Sequence, residues 1–219
     1  MLPYKVYLQW RHRYNLAMLR RRTKRACRQG MRSAQPVKII VGSGGTLLGG
    51  WISTDLETLD ITSPHDWRRL FEPDCIDRIL AEHVLEHLSE RDCRMSLGEC
   101  FCYLKPGGLL RIAVPDGFHP DPAYKKYVRP GGTGAGAGDH KVLYNYKLIT
   151  EKLEAAGFEV RLLEYWDETG KFHFHEWSSE DGHVFRSKLF DPRNRDGSLE
   201  YTSLIVDAIK PHPVDSYRH

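Results

Sequence analysis

The feature that most constrains this chain is residues 37–60, VKIIVGSGGTLLGGWISTDLETLD. An apolar run, interrupted by Lys38 alone, gives way after Val41 to Gly42, Gly44 and Gly45. A second pair, Gly49 and Gly50, precedes Trp51 and Ile52, and the run ends on Asp55. The order reads as a strand, a glycine turn, a short link, and a second strand with a carboxylate at its tip. Glycine carries no Cβ, so the backbone of such a turn can touch a ligand. A carboxylate at the second strand's end can accept hydrogen bonds from ribose hydroxyls, and the whole geometry suits a nucleoside-containing cofactor. The GxGxxG pattern of dinucleotide sites is not met, because position 47 is leucine.

With 219 residues, 41% of them hydrophobic, the chain can bury one full-sized core. No run approaches the ~18 apolar residues of a membrane span. The first residues lack the apolar stretch and small-residue cleavage site of a signal peptide. The five cysteines are odd in number and form no CxxC pair, which fits buried thiols in a reducing, cytoplasmic setting and argues against a cysteine zinc site.

The net charge of +3 hides an asymmetry. Residues 1–54 hold 11 Lys or Arg and no acidic residue, whereas residues 55–219 hold 21 basic and 29 acidic residues. The expected organisation is a basic helical extension over 1–33, one domain over 34–210, and a tail over 211–219. In the extension Leu2, Val6, Trp10, Tyr14 and Met18 recur every four residues, predicting a helix over about 4–27 with its cations at the C-terminal end. Three roles fit it: peripheral contact with an anionic membrane or an acidic partner, an organelle transit segment, or a helix packed over the cofactor pocket with a solvated basic face. The acidic remainder argues against an extensive nucleic-acid surface.

Along the chain, strands are expected at 37–41 and 50–55, a very short third strand at 59–61, and a short helix at 64–71. A fourth strand spans 75–81. Ser89 caps a helix running to about Leu104, which Lys105-Pro106-Gly107-Gly108 stops. A fifth strand spans 109–115. Residues 117–139, proline-containing and then glycine-rich, read as a long loop, either a lid or disorder. A helix over 144–157 ends on Gly157, a strand spans 158–166, residues 172–177 form half of a hairpin, and the last strand spans 199–209. Helices between apolar strands make an open α/β sheet, whose ligands sit beyond the carboxyl ends of the strands. Gly42, Gly44, Gly45, Asp55, Asp60, Glu82, His83 and Asp116 all fall at that rim.

At this point the chain resembles the class I S-adenosylmethionine-dependent methyltransferases, in particular a group of small bacterial members. Residues 41–56 (VGSGGTLLGGWISTDL) resemble the first motif, 81–88 (AEHVLEHL) the segment after the fourth strand, 103–116 (YLKPGGLLRIAVPD) a helix end and fifth strand, and 140–160 the late helix and sixth strand. The resemblance implies a Rossmann-like seven-stranded sheet with an antiparallel last strand and helices on both faces. It implies S-adenosylmethionine as cofactor, held by backbone near Gly42, Ser43 and Gly44, with ribose on Asp55. It places adenine near Leu56, Asp60 and Ile61, and the methionine part near Ala81, Glu82 and His83. One departure stands out: the acidic residue usual two positions before the first glycine is Ile40 here.

For methyl transfer to a hydroxyl, the rim offers His83, Asp116, His140 and Tyr144 as general bases. Polar and aromatic residues over 165–185 suit a small hydroxylated acceptor such as a sugar or glycan. Two other readings stand beside this one. His83-Val84-Leu85-Glu86-His87 fits the HxxEH pattern of zinc metallopeptidases, provided that one helix carries both histidines. A binding protein with the methyltransferase fold and no turnover is the other, with Ile40 as its support. No metal site is expected; His173 and His175, sharing a strand face, are read as solvated.

Overall fold

The computed structural model describes the backbone of residues 4–213 and the side chains of residues 12–213. Of the repeating positions in the extension, Leu2 and the Val6 and Trp10 side chains lie outside the described residues, as do tail residues 214–219. The elements run α1 (Tyr4–Arg32), β1 (Lys38–Ile40), β2 (Ile52–Ser53), α2 (Pro64–Leu70), β3 (Ile76–Glu82), α3 (Glu90–Tyr103), β4 (Leu104–Pro115), α4 (Pro122–Val128), α5 (Tyr146–Ala155), β5 (Glu159–Trp166), β6 (Phe172–Phe174) and β7 (Ser203–Ile209). Seven strands form one sheet in the order β2-β1-β3-β4-β7-β5-β6. The strands from β2 to β4 pair in parallel, and β7 lies antiparallel between β4 and β5. The antiparallel last strand and the seven-strand count match the expected Rossmann-like sheet, but the membership differs.

Residues 59–61 form no strand. The Asp60 carboxylate accepts from both the backbone and the hydroxyl of Thr62, and the Trp67 indole donates to the Ile61 carbonyl. This side-chain turn takes the backbone's hydrogen bonds before a ladder can. The seventh strand is instead β6, which pairs with β5 as a short hairpin.

Ser89 caps α3 as expected, and the structure adds two caps that the sequence reading did not name. Ser63, Ser89 and Asn145 each accept from a backbone N–H in the first turn of α2, α3 and α5. β4 begins directly at Leu104, so Lys105–Gly108 does not form a separate stop. Ile76 pairs with Leu104 and Arg78 with Leu109, and the four residues between bulge out of register. The long loop over 117–139 contains α4, which starts on the Asp121 cap with Pro122 at its first position, where a missing N–H costs nothing.

Four of the helices expected on both faces, α1, α2, α3 and α5, share one. Trp67, Leu97, Ile149 and Leu153, together with Cys27 of α1, form a single core with Ile39, Val41, Ile79, Leu110, Ile112, Leu204 and Val206. Right-handed crossovers that all step the same way across a sheet leave their helices on one face. The steps from β2 to β3, β3 to β4 and β4 to β5 all run the same way. β1 to β2 steps back, and its connection is the glycine turn rather than a helix. The other face is covered by irregular chain: Leu48 and Trp51 from that turn, and Trp177 and Val184 from a strap over residues 175–191, packed on Ile40, Leu80, Ala113, Leu163 and Ile205.

A buried ion pair fixes the strap. Arg111 and Asp207 face each other across β4 and β7, both with no side-chain exposure, and meet through two bonds of 2.7 and 2.9 Å. The remaining Arg111 nitrogen, Nη1, donates to the Ser178 and Gly182 carbonyls at 2.6 and 2.8 Å. The guanidinium lies 4.8 Å over the Trp177 ring. Removing one partner of such a pair leaves a buried charge short of compensation, at a cost of up to about 3–5 kcal/mol; without Arg111, Asp207 keeps only the half-exposed Arg161, 2.9 Å away. Arg111→Ala is expected to lower unfolding free energy by about that amount in urea titration, and Arg111→Met combined with Asp207→Leu to recover most of the loss.

Candidate active site

The carboxyl end of the sheet is built around the glycine turn. Just past β1, the Val41 N–H donates to the Leu80 carbonyl, and the chain reverses through Gly42 and Gly44 at φ of 59° and 55°. Asp55 holds the turn, accepting from the Ser43 hydroxyl and the Gly44 N–H at 2.8 Å each. A side chain built on Gly42 would strike Val84 at 2.6 Å, whereas one on Gly44 or Gly45 would meet no protein atom within 4 Å. The turn therefore opens onto free space at Gly44 and Gly45.

Two cavities meet there, sharing Gly42 and His83. One, of about 230 Å³, is walled by Ser43, Gly44, Thr46, Glu82 and Arg186. The other, of about 360 Å³, is more apolar, with Leu56, Leu59, Ile61, Val84 and Leu88 around Asp60. Together they fall within the roughly 300–1,000 Å³ of small-molecule sites. The strap roofs the first: Glu82 accepts from the Phe185 and Arg186 N–H groups and lies 3.3 Å from the Arg186 guanidinium.

A third chamber, of about 340 Å³, lies on the far side of His83 and His87. His140, Tyr127, Arg186, Arg193 and Tyr201 complete it. His83 thus stands in the wall common to all three spaces. It has a left-handed backbone, φ 56°, which is uncommon outside glycine. Its Nε2 lies 3.0 Å from the Ser203 hydroxyl and its Nδ1 3.2 Å from Oε1 of the fully buried Glu86. Burial pushes the His87 imidazole below the usual histidine range, against the pull of Glu86.

Of the residues expected at the cofactor, Gly42, Ser43, Gly44, Leu56, Asp60, Ile61, Glu82 and His83 line the two joined cavities. Ala81 is buried in the core, and Asp55 braces the turn from behind. The four candidate bases divide. His83 and His140 line the third chamber. Asp116 and Tyr144 are fully buried and line none of these spaces. Tyr144 packs in the core with its hydroxyl 3.5 Å from Cys93 Sγ. Asp116 receives the Trp166 and Phe118 N–H groups at 2.8 and 2.9 Å, bracing β5 against the end of β4.

The HxxEH reading fails on backbone. His83 ends a strand and residues Leu85–His87 make one 3₁₀ turn, so no helix carries both histidines. The aromatic stretch 165–185 does not line the third chamber. Tyr165 stacks on His173 at the sheet edge, and Trp177 covers Arg111. The chamber's aromatics are Tyr127 and Tyr201, and its cations Arg186 and Arg193. No local pattern announced these four, because the strap and α4 bring them together only in the fold.

No protein-family model and no curated protein matches the sequence. Among solved structures the backbone is similar to S-adenosylmethionine-dependent methyltransferases. One, from Archaeoglobus fulgidus, is 13% identical over 94% of this chain and 99% of that one, with a TM-score of 0.47. A possible histamine N-methyltransferase from Thermotoga maritima is 12% identical over 94% and 95%, TM-score 0.48. One from Mesorhizobium loti is 12% identical over 84% and 95%, TM-score 0.48. Likeness this distant decides nothing about chemistry, and the fold stands on the strand order and registers above.

Asp116 yields a test of its bracing role. Burial pushes its carboxyl up from 3.8 to about 6, outweighing the two N–H donors that lower it. The folded state then holds the proton more tightly than the unfolded state, so this group's contribution to stability falls as pH rises from about 4 to about 6. The stability difference between the wild type and Asp116→Asn, measured by urea titration at each pH, is expected to shift against the wild type by roughly 2–3 kcal/mol across that window.

Proposed function

We propose that this chain transfers the methyl group of S-adenosylmethionine to a small polar acceptor, a hydroxyl of a sugar, glycan or other small molecule. The observation that carries the reading is the single wall at His83. It separates a two-lobed crevice opened by the glycine turn from a chamber lined by polar groups. Transfer requires donor and acceptor to meet across one short gap with water excluded.

The residues present fit that cofactor. The apolar lobe around Leu56, Leu59 and Ile61 suits an adenine ring. In the polar lobe, Arg186 suits a carboxylate and Glu82 an ammonium group. Glu82 thereby supplies the charge absent at Ile40, which lines the same lobe. Bound there, the cofactor supplies a methyl group already activated as a sulfonium. His83 and His140 are the residues placed to take the acceptor's proton, and Arg186 and Arg193 favour an acceptor that carries a negative group. Ile40 also favours a second reading, in which the crevice binds the nucleoside without turnover.

α1 supports a peripheral role. Cys27 is buried in the core and the Arg20 guanidinium donates to the Glu57 carbonyl, so its C-terminal half belongs to the domain. Arg21, Lys24, Arg25, Arg28 and Arg32 line one groove. That cationic face suits an anionic membrane surface or an acidic partner. Among the described residues no helix is long and apolar enough to cross a membrane.

Calorimetric titration with S-adenosylmethionine and S-adenosylhomocysteine is expected to show one site for each. Gly44→Leu should weaken both at least about 10-fold while costing the fold about 1–2 kcal/mol for its left-handed backbone. A folded wild type that binds neither ligand overturns the reading. Radiolabelled cofactor offered with sugar phosphates and glycans should label the small acceptor; label found only in RNA or protein overturns the acceptor class.

A further inference from the structure

Glu86 is the one buried charge that the proposed chemistry leaves unexplained. Its side chain has no exposure, and neither carboxylate oxygen has a hydrogen-bond partner of acceptable geometry among the described residues. An ionised carboxylate in that position is costly unless a cation or donors compensate it. Three imidazoles surround it: His83 Nδ1 at 3.2 Å, His140 Nε2 at 3.9 Å, and His87, whose ring meets that of His140 edge-on with centroids 4.7 Å apart.

The tautomer of His140 decides what the cluster can hold. Its Nδ1 lies 2.7 Å from the Val128 carbonyl, which only accepts, so Nδ1 carries the hydrogen. In the neutral ring Nε2 is then a bare lone pair aimed toward the carboxylate. Two lone pairs facing each other call for a proton or a metal cation between them. A backbone carbonyl orienting the far nitrogen of a histidine is also the usual support of a metal ligand. The placement is enforced rather than incidental: the Glu86 carbonyl accepts from the Lys141 and Val142 N–H groups, pinning the segment that carries His140 against the turn that carries Glu86 and His87.

We infer that Glu86, His87 and His140 form a divalent transition-metal site, of the kind that takes Zn²⁺ or Co²⁺, at the floor of the third chamber. One ligand atom from each lies within 4.8 Å of the others. Tetrahedral ligands with bonds of about 2.1 Å lie about 3.4 Å apart, so closure asks for a movement of about 1 Å, within reach of side-chain rotation. Two histidines and one carboxylate leave a coordination position open. That position faces a chamber lined by Arg186 and Arg193, so an anionic oxygen completes the shell. Resting on the methyl-transfer reading, the site's role is to hold the acceptor's oxygen and lower its pKa, as a bound ion does for water. His83, 3.2 Å from Glu86, remains beside the site as the group that takes the released proton.

The test is titration of tag-free, metal-stripped full chain with Co²⁺, followed by visible absorption and calorimetry, and repeated with Zn²⁺. The expected result is one equivalent bound with tetrahedral or five-coordinate d–d bands. Affinity should fall more than about 100-fold in His87→Ala and in His140→Ala, beyond the about 10–100-fold that outer partners are worth. Cys102→Ser and His175→Ala should bind as the wild type does. Glu86→Gln should fold with a metal-free Tm no lower than that of the wild type, because it removes an unpaired charge, yet lose the ion and the upward Tm shift the ion causes. A folded wild type with no saturable binding, or binding that survives both histidine substitutions, overturns the site. Metal binding without binding of S-adenosylmethionine would remove the methyl-transfer reading and leave the site standing; cofactor binding without metal binding would do the reverse.

Discussion

The bond between Arg111 and Asp207 is the interaction on which the architecture depends. A sheet with its core helices α1, α2, α3 and α5 on one face must cover the other with irregular chain. Buried irregular chain brings unpaired backbone carbonyls and N–H groups, each needing a partner. Arg111 meets that need from inside the sheet, giving two bonds to Asp207 and two to strap carbonyls. Glu164 does the same with opposite polarity, accepting from the Trp177 indole and the Lys188 N–H. The buried charges on this face are therefore fasteners for loops rather than catalytic groups.

The strap in turn completes the site. Glu82 sits at the end of β3 and accepts the Phe185 and Arg186 N–H groups, so the same segment that covers the sheet closes the polar lobe. Arg186 then looks both ways, into that lobe and into the third chamber. Cover and chemistry are one piece of chain here.

What was legible in the sequence was local. Glycines before an aspartate marked the turn, apolar runs marked β1, β3 and β4, and Ser89 marked the start of α3. α4 was legible in principle, since Asp121 and Pro122 are ordinary start signals, but the glycines and prolines around it hid a helix of two turns. Asp116 and Tyr144 show the limit of reasoning from position along a strand. Both lie near the carboxyl rim in sequence, yet their side chains turn into the core, and only packing decides that direction. The chamber was illegible for another reason: Arg186 meets Glu82 across 104 residues, and no spacing rule reaches that far.

The position of β7 has a consequence for the order in which the molecule is made. Among the described strands it is the last to be synthesised, yet it lies between β4 and β5. Until it arrives, β5 and β6 have no edge to join, Arg111 has no counter-charge, and His83 lacks Ser203. A partly synthesised chain can assemble the β2-β1-β3-β4 half with its helices, but it exposes the β4 edge while it waits. Such an edge is a template for pairing with other chains, and pairings this distant in sequence form slowly. Closure of the pocket therefore waits on β7, and until β7 pairs the crevice at the glycine turn stays half-built.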